Sequence, residues 1–591
     1  MTQRRLSTLT ELFAATLVIG FAMALVFFPF PNPDLYWLLA TGRRMVETGA
    51  FIYQDPFTFT VAGSPWSPQS WLTALAYFLL NQTGGMGALT VLRLALVGGM
   101  VALTLRSLRI VGVSWAVASP LVVLALFIAH TRLTDRGQLF EYLFLAWLIG
   151  FLLRSHEIRG RSFFVWPVVV QLLWVQFHSS FLLGPALALV FFASEWMAPH
   201  LPGFRALHAR DFRRAFALVG VLLLSCLVNP NPRAFLLQPF DPQQRELLSR
   251  FTLEWRSPFD PAIASGNFHP YYEVLLGLAV LVMILNARRL ALAPVAMMVA
   301  TAVLSLQSHR FRVEFALIAV PMIALLAKTS PLVDGWLRSL AKRKRLPRAQ
   351  LIAGAWAIGA ALILIAIESD RITAARNAAT GRPERAIAFA LENDLAQRPF
   401  HSIAVGSYMM WDAYGERRTF IDGRNFSYSL YRDFLLAQAS DEGLRAAIKK
   451  YQLDSFILPA APDAGMRNVH ERLMRDRVAW DLVHIDETAF VYVAKAAVDS
   501  TWLDAHAFRV YHPVTFEGAR LSRSEVERAV VELERATAAV PEMSLLWMHL
   551  AAAYEASGEV EKGLQACARS LAIDPNRAEA IQIQNRLRKR Q

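Results

Sequence analysis

Cysteine is nearly absent: the 591 residues hold two, Cys226 in an apolar run and Cys567 in a C-terminal helix-like pattern, which excludes a disulfide-stapled fold. Charge is scarce as well. Only 18% of residues are charged against 55% hydrophobic, and the mean hydropathy is +0.34, which excludes a single soluble globule and reads as a polytopic membrane protein. A small-x-small cleavage site is missing before Pro29, so the first apolar run, behind Arg4 and Arg5, is expected to be an uncleaved signal anchor. The formal net charge of +13 does not imply nucleic acid, because the Lys and Arg residues sit in short clusters between apolar runs, as topology signals do.

What is present is a series of eleven candidate spans, near 9–28, 87–105, 113–130, 139–153, 163–178, 181–197, 215–228, 271–287, 290–306, 313–327 and 351–367. Alternate connections carry the positive charge, from Arg4 and Arg5 through Arg106 and Arg109, Arg154 to Arg161, Arg205 to Arg214, Arg288 and Arg289, to the KRKR run at 342–345. Those connections are therefore expected inside, which puts loops 30–86 and 229–270 and everything beyond 368 outside. Within the first outer loop, Asp34–Val46 and Trp71–Leu80 read as two helices lying at the outer membrane surface.

The middles of the spans look almost free of charge, whereas their outer ends collect Asp34, Asp55, Arg132, Asp135, Arg136, His178, Glu254, His269, Glu273, His309, Arg310, Arg312 and Glu314. Ionisable groups near hydrocarbon need a polar cavity or each other, so a cluster on one face suggests a site. Each also has a plainer reading. Asp34 in NPDLYW can cap the helix it begins, Asp55 before Pro56 can open a turn, His178 can be a hydrogen-bonded structural group, and Arg310 and Arg312 can anchor the interface.

The motifs DLYWLLATG (34–42), QDPFTFT (54–60), SWLTALAYFLL (70–80), RLTDRGQLFEYLFLAW (132–147), QFHSSFLLG (176–184), VNPNPRAFLL (228–237), the Glu254-Trp255 pair, HRFRVEFALIAVP (309–321) and GSYMMWDAYGERRTFIDGRN (406–425) follow one another in a fixed order. In that order the chain resembles a group of bacterial multi-span proteins of the GT-C class, membrane glycosyltransferases that take sugars from polyprenyl-phosphate donors. Two positions depart from the group: Leu38 stands where it has histidine, and Gly137 where it has proline.

The resemblance implies a GT-C-like transmembrane domain over 1–368, with Asp34 as the base for the acceptor hydroxyl and Asp55 as an alternative base. A divalent cation, Mg²⁺ or Mn²⁺, would lie between these two carboxylates if one is used. The donor phosphate would be met by Arg310 and Arg312, with Arg132, Arg136, His178 and His309 behind them. Glu254, Asp422 and Arg424 are further candidate substrate contacts.

Beyond 368 the composition changes. Short β-type runs at 402–406, 418–422, 455–459, 481–486 and 489–495, with helices between, suggest an extracytoplasmic α/β domain over 369–500. Residues 501–591 carry a 34-residue offset between Pro541 and Pro575 that resembles the tetratricopeptide pattern, and offer a surface for a protein partner. The competing classes are a non-catalytic envelope assembly scaffold on the same fold, and a transporter or flippase. The latter is disfavoured because neither midplane polar residues nor two similar halves are evident.

Overall fold

The computed structural model describes residues 3–27, 32–208, 211–237, 240–261, 270–287, 290–331, 335, 381–424 and 427–590. The chain forms two compact units, one of Met1–Asp55 with Ser64–Arg376 and one of Pro56–Gly63 with Asn377–Gln591.

In the first unit the helices are α1 (Gln3–Phe27), α2 (Asp34–Thr48), α3 (Trp71–Val111), α4 (Trp115–Ala129), α5 (Gln138–Arg154), α6 (Ser162–Phe177), α7 (Leu183–Met197), α8 (Phe212–Ser225), α9 (Pro232–Leu237), α10 (Pro242–Phe251), α11 (Tyr271–Leu285), α12 (Leu292–Gln307) and α13 (Arg312–Thr329). Ten of the candidate spans each fall on one of these helices. The eleventh, 351–367, and the boundary at 368 lie outside the described residues. By length and composition, two of the described helical stretches, Trp71–Val111 and Ser179–His200, suffice to cross a bilayer, and five shorter apolar ones accompany them.

The stretch Trp71–Leu80 lies on a helical segment that breaks off before the next span at 87–105 begins. It opens α3, which is interrupted at Gly84 and Gly85; Gly85 has φ +59°, a backbone conformation that a side chain would disfavour. Helix α2 lays Leu35, Leu38, Leu39 and Met45 against α3, so Leu38 serves packing, 2% exposed. A two-stranded pairing of β1 (Phe204–Arg205) with β2 (Leu290–Ala291) joins two connections that the charge pattern puts on the same side.

The core of the second unit is a four-stranded sheet in the order β3 (Pro399–His401), β4 (Ser455–Pro459), β6 (Ala489–Ala494), β5 (Trp480–Ile485), with β3 parallel to β4 and the remaining pairs antiparallel. Three of the expected strands form. The run at 402–406 instead starts a helix, Ile403–Asp412, because the Ser402 hydroxyl accepts the Val405 N–H as an N-cap. The run at 418–422 contributes only a bridge, in which Thr419 pairs with Thr58 of the first loop: its N–H donates to Phe57 O at 3.0 Å, and its carbonyl accepts from Phe59 N at 3.1 Å.

The two stretches set apart in the sequence at 500 lie in this one unit. Glu532 accepts the backbone N–H groups of Arg509, Val510 and Tyr511, and Phe508 N donates to Leu482 O of β5. Four successive helices, Arg523–Ala539, Ser544–Ser557, Val560–Ile573 and Ala578–Arg588, then pack one on the next.

The unit's core holds a hydrogen-bond chain whose direction chemistry fixes. Pro459 O can only accept, so His470 Nε2 donates to it at 3.1 Å and its Nδ1 must accept from Tyr492 Oη, also at 3.1 Å. Tyr492 Oη in turn accepts from His512 Nε2 at 2.9 Å, and His512 Nδ1 accepts the Val514 N–H at 3.2 Å. Both imidazoles are neutral in this chain. Burial pushes the His470 pKa down to about 4; burial, with His470 and Arg477 nearby, pushes that of His512 to about 3.

Candidate functional site

Asp34 is the first residue of α2, and it does not cap that helix: Pro33 flanks the start and makes no side-chain cap bond. The carboxylate is left for other partners. Its Oδ1 accepts the Trp37 indole N–H at 3.1 Å, and its Oδ2 lies 2.7 Å from Arg136 Nη2. Asn32 fixes this pair from below, its Oδ1 accepting both the Asp34 backbone N–H at 3.2 Å and Arg136 Nε at 3.1 Å.

Arg136 is presented by the short connection between α4 and α5, and two contacts hold that connection. Tyr77 Oη donates to Arg136 O at 3.1 Å, while the buried Arg93 pairs with Asp135. Arg93 also donates to the last carbonyls of α1, Val26 O at 2.9 Å and Phe27 O at 3.2 Å, which a helix end leaves without intrahelical partners. Gly137 lets α5 begin close to its neighbours, since an added Cβ would come within 2.9 Å of Phe177 O.

Three arginines meet on one carboxylate. Glu254 Oε2 lies 2.9 Å from Arg132 Nη1 and 3.6 Å from Arg136 Nη1, and its Oε1 lies 3.5 Å from Arg310 Nη1. Burial alone would push the Glu254 pKa up, but Arg132, Arg310 and Arg136 together hold it down at about 2. Arg136 thus touches both Asp34 and Glu254, and ties the two carboxylates into one group.

The remaining candidates separate from that group. Arg312 turns to His309 Nε2 and stands 5.9 Å from the centre of the Tyr272 ring. His178 is buried, with Nδ1 2.9 Å from a Glu141 oxygen and 2.8 Å from Ser180 Oγ. Asp55 is buried at the foot of a hairpin, where its N–H donates to Ser64 O at 2.9 Å. Asp422 and Arg424 belong to the other unit and are bound to each other, with Nη2–Oδ2 at 2.6 Å and both side chains 1% exposed; the guanidinium stacks 4.9 Å from the Phe57 ring centre.

Sequence reasoning missed Asn32, Trp37, Arg93 and Glu141. The last two lie within candidate spans, contrary to the expectation that the spans are nearly charge-free. Arg93 and Glu141 are fully buried and paired, which is how such groups persist there.

Both Asp34 oxygens are engaged by Arg136 and Trp37, and among the described residues no group of three or more His, Cys, Asp or Glu side chains gathers as a metal cage.

No protein-family model matches the chain. No curated protein matches it either. Solved structures do. The archaeal oligosaccharyltransferase AglB from Archaeoglobus fulgidus, in complex with an inhibitory peptide and a dolichol-phosphate, superimposes with a TM-score of 0.51 at 12% identity, over 92% of this chain and 85% of that one. The Archaeoglobus fulgidus oligosaccharyltransferase tethered with an acceptor peptide gives 0.48 at 13% identity, over 83% and 74%. ArnT from Cupriavidus metallidurans bound to undecaprenyl phosphate gives 0.45 at 13% identity, over 83% and 98%. The chain therefore shares the fold of AglB over 92% of its length. At 12% identity the likeness concerns the fold, and function has to be argued from the site.

Proposed function

We propose that the chain is an integral membrane glycosyltransferase that moves a hexosyl or pentosyl group from a polyprenyl-phosphate donor to an acceptor hydroxyl at the outer face of the cytoplasmic membrane. The N-terminus lies inside and the second unit outside. The observation that carries this reading is the convergence of Arg132, Arg136 and Arg310 on one anionic position beside Asp34. A fold shared with a protein solved with a dolichol-phosphate supports it.

In the reaction, the acceptor oxygen attacks the sugar C1, the bond from C1 to the phosphate oxygen breaks, and the electron pair leaves with the phosphate. The acceptor proton passes to Asp34, whose oxygens each have a lone pair beyond those used by Arg136 and Trp37. Negative charge grows on the departing phosphate, where fixed guanidinium groups stabilise it without reorganising. Arg136 serves both ends: it orients the base and faces the leaving group. Asp55, at the foot of the loop hairpin, remains the alternative base.

The second reading is a non-catalytic scaffold, favoured by the buried Leu38 at a position where the related group has histidine. Radiolabelled sugars on a panel of polyprenyl-phosphate donors, given to membranes with and without the protein, separate the two. Transfer of label that depends on the protein supports the enzyme; absence of transfer from every donor supports the scaffold.

A further inference from the structure

Glu254 occupies the position that the proposed reaction needs for phosphate. Three guanidinium groups lie within 3.6 Å of its carboxylate, and one of them, Arg136, is shared with Asp34. A purely structural ion pair is built differently in this chain: Asp422 and Arg424 match one to one and are sealed from solvent, whereas the Glu254 side chain is 25% exposed. Removing the carboxylate would leave three like charges in proximity, which is an anion site in need of an anion.

The backbone around Glu254 is fixed although its side chain has an open side. Ser308 Oγ donates to Glu254 O at 3.0 Å, and His309 N donates to Arg256 O at 2.7 Å. Trp255 meets Phe311 edge-on at 6.1 Å and lies under the Arg310 guanidinium at 4.9 Å. The carboxylate can therefore leave the arginines by rotating about its own side-chain bonds, with the main chain held on the His309–Phe311 turn.

We infer that Glu254 is an internal competitor for the donor-phosphate seat, which fills the seat between turnovers and returns to expel the spent carrier phosphate. This rests on the glycosyl-transfer reading above. A sugar phosphodiester carries one negative charge, as the carboxylate does, so its entry exchanges charge for charge. The product is a phosphomonoester with a charge near −2 at neutral pH. It would hold the three arginines more firmly than the donor did, and a tethered carboxylate at high effective concentration speeds its departure.

The test is binding of a polyprenyl monophosphate to the purified full-length chain in detergent, comparing wild type, Glu254→Gln, Glu254→Asp and Arg310→Gln, each checked for folding by size exclusion and thermal unfolding. Glu254→Gln should bind about tenfold more tightly than wild type, the scale set by losing charge-assisted contacts to the internal ligand. Glu254→Asp, which draws the charge back by one methylene, should fall between them, and it carries the test if the glutamine variant does not fold. Arg310→Gln should bind more weakly than wild type. Unchanged or weaker binding in both Glu254 variants, with Arg310→Gln still weakened, would overturn the competitor while leaving the phosphate seat and the proposed function intact. No binding by any form, wild type included, would overturn both.

Discussion

In the first unit, Arg132, Arg136 and Arg310 share the Glu254 carboxylate and Arg136 reaches across to Asp34, with the Asp34 and Arg136 side chains about a quarter exposed, at 26% and 28%. In the second unit, His470, Tyr492 and His512 run between Pro459 O and the Val514 N–H, all three side chains buried and every donor matched to an acceptor. Both regions gather ionisable groups from distant parts of the chain. The first leaves more positive than negative charge at an accessible position; the second is neutral and closed. A network with exchangeable partners is suited to a substrate, whereas a fully satisfied one specifies a fold.

The comparison breaks if the accessible network can be altered without loss of activity. Asp34→Asn should leave the protein folded, with thermal unfolding close to wild type, and should lower transfer by roughly 10²–10⁴-fold, the contribution of a positioned general base. Unfolding of that variant would instead make Asp34 a structural anchor like those of the second unit.

Acid sharpens the comparison from the other side. The folded-state pKa values of His470 and His512, about 4 and about 3, lie below the ordinary value of 6.5, so between these limits the unfolded chain binds protons that the folded chain refuses. Their stabilisation is complete above about pH 6.5 and is lost as pH falls toward 4. For His470, at about 1.4 kcal/mol per pKa unit, the loss reaches roughly 3 kcal/mol. Denaturant unfolding of the second unit followed from pH 7 to pH 4 measures it, and His470→Gln should flatten the slope.

Tyr492→Phe removes the hydroxyl that joins the two imidazoles. It leaves the His470 acceptor and the His512 donor buried without that partner, for a loss of about 1–3 kcal/mol in the same unfolding experiment. Smallest is Ser522→Ala at the start of the C-terminal helices. Ser522 and Glu525 form a reciprocal capping box there, remote from both networks, and its loss should cost about 1 kcal/mol with no change in transfer.

Much of this arrangement is legible in local sequence. Apolar runs of helical length mark ten of the described helices, and Asp34, Arg132, Arg136, Glu254 and Arg310 stand out because charge at the end of an apolar run requires a partner. What the sequence does not reveal is who that partner is. Asn32 meets Arg136 across 104 positions, and Arg132 meets Glu254 across 122, distances over which periodicity carries no information. The role of Glu254 was hidden for the same reason: read singly it is another outer-end acid, and only three converging arginines make it a phosphate surrogate. The strand expected at 402–406 failed differently, because the β-branched residues of SIAVG suited a strand while a single serine cap at its first position started a helix. Arg93 was missed inside a span because its partners, the end of α1 and Asp135, come from two other segments.

The most direct test of the account is protein-dependent transfer of radiolabelled sugar from polyprenyl-phosphate donors, with wild type, Asp34→Asn and Arg136→Gln compared in the same reconstituted membranes. The account predicts labelled acceptor with wild type, near-complete loss with Asp34→Asn and a marked loss with Arg136→Gln, all three proteins being folded. Full labelling by a folded Asp34→Asn protein would contradict it.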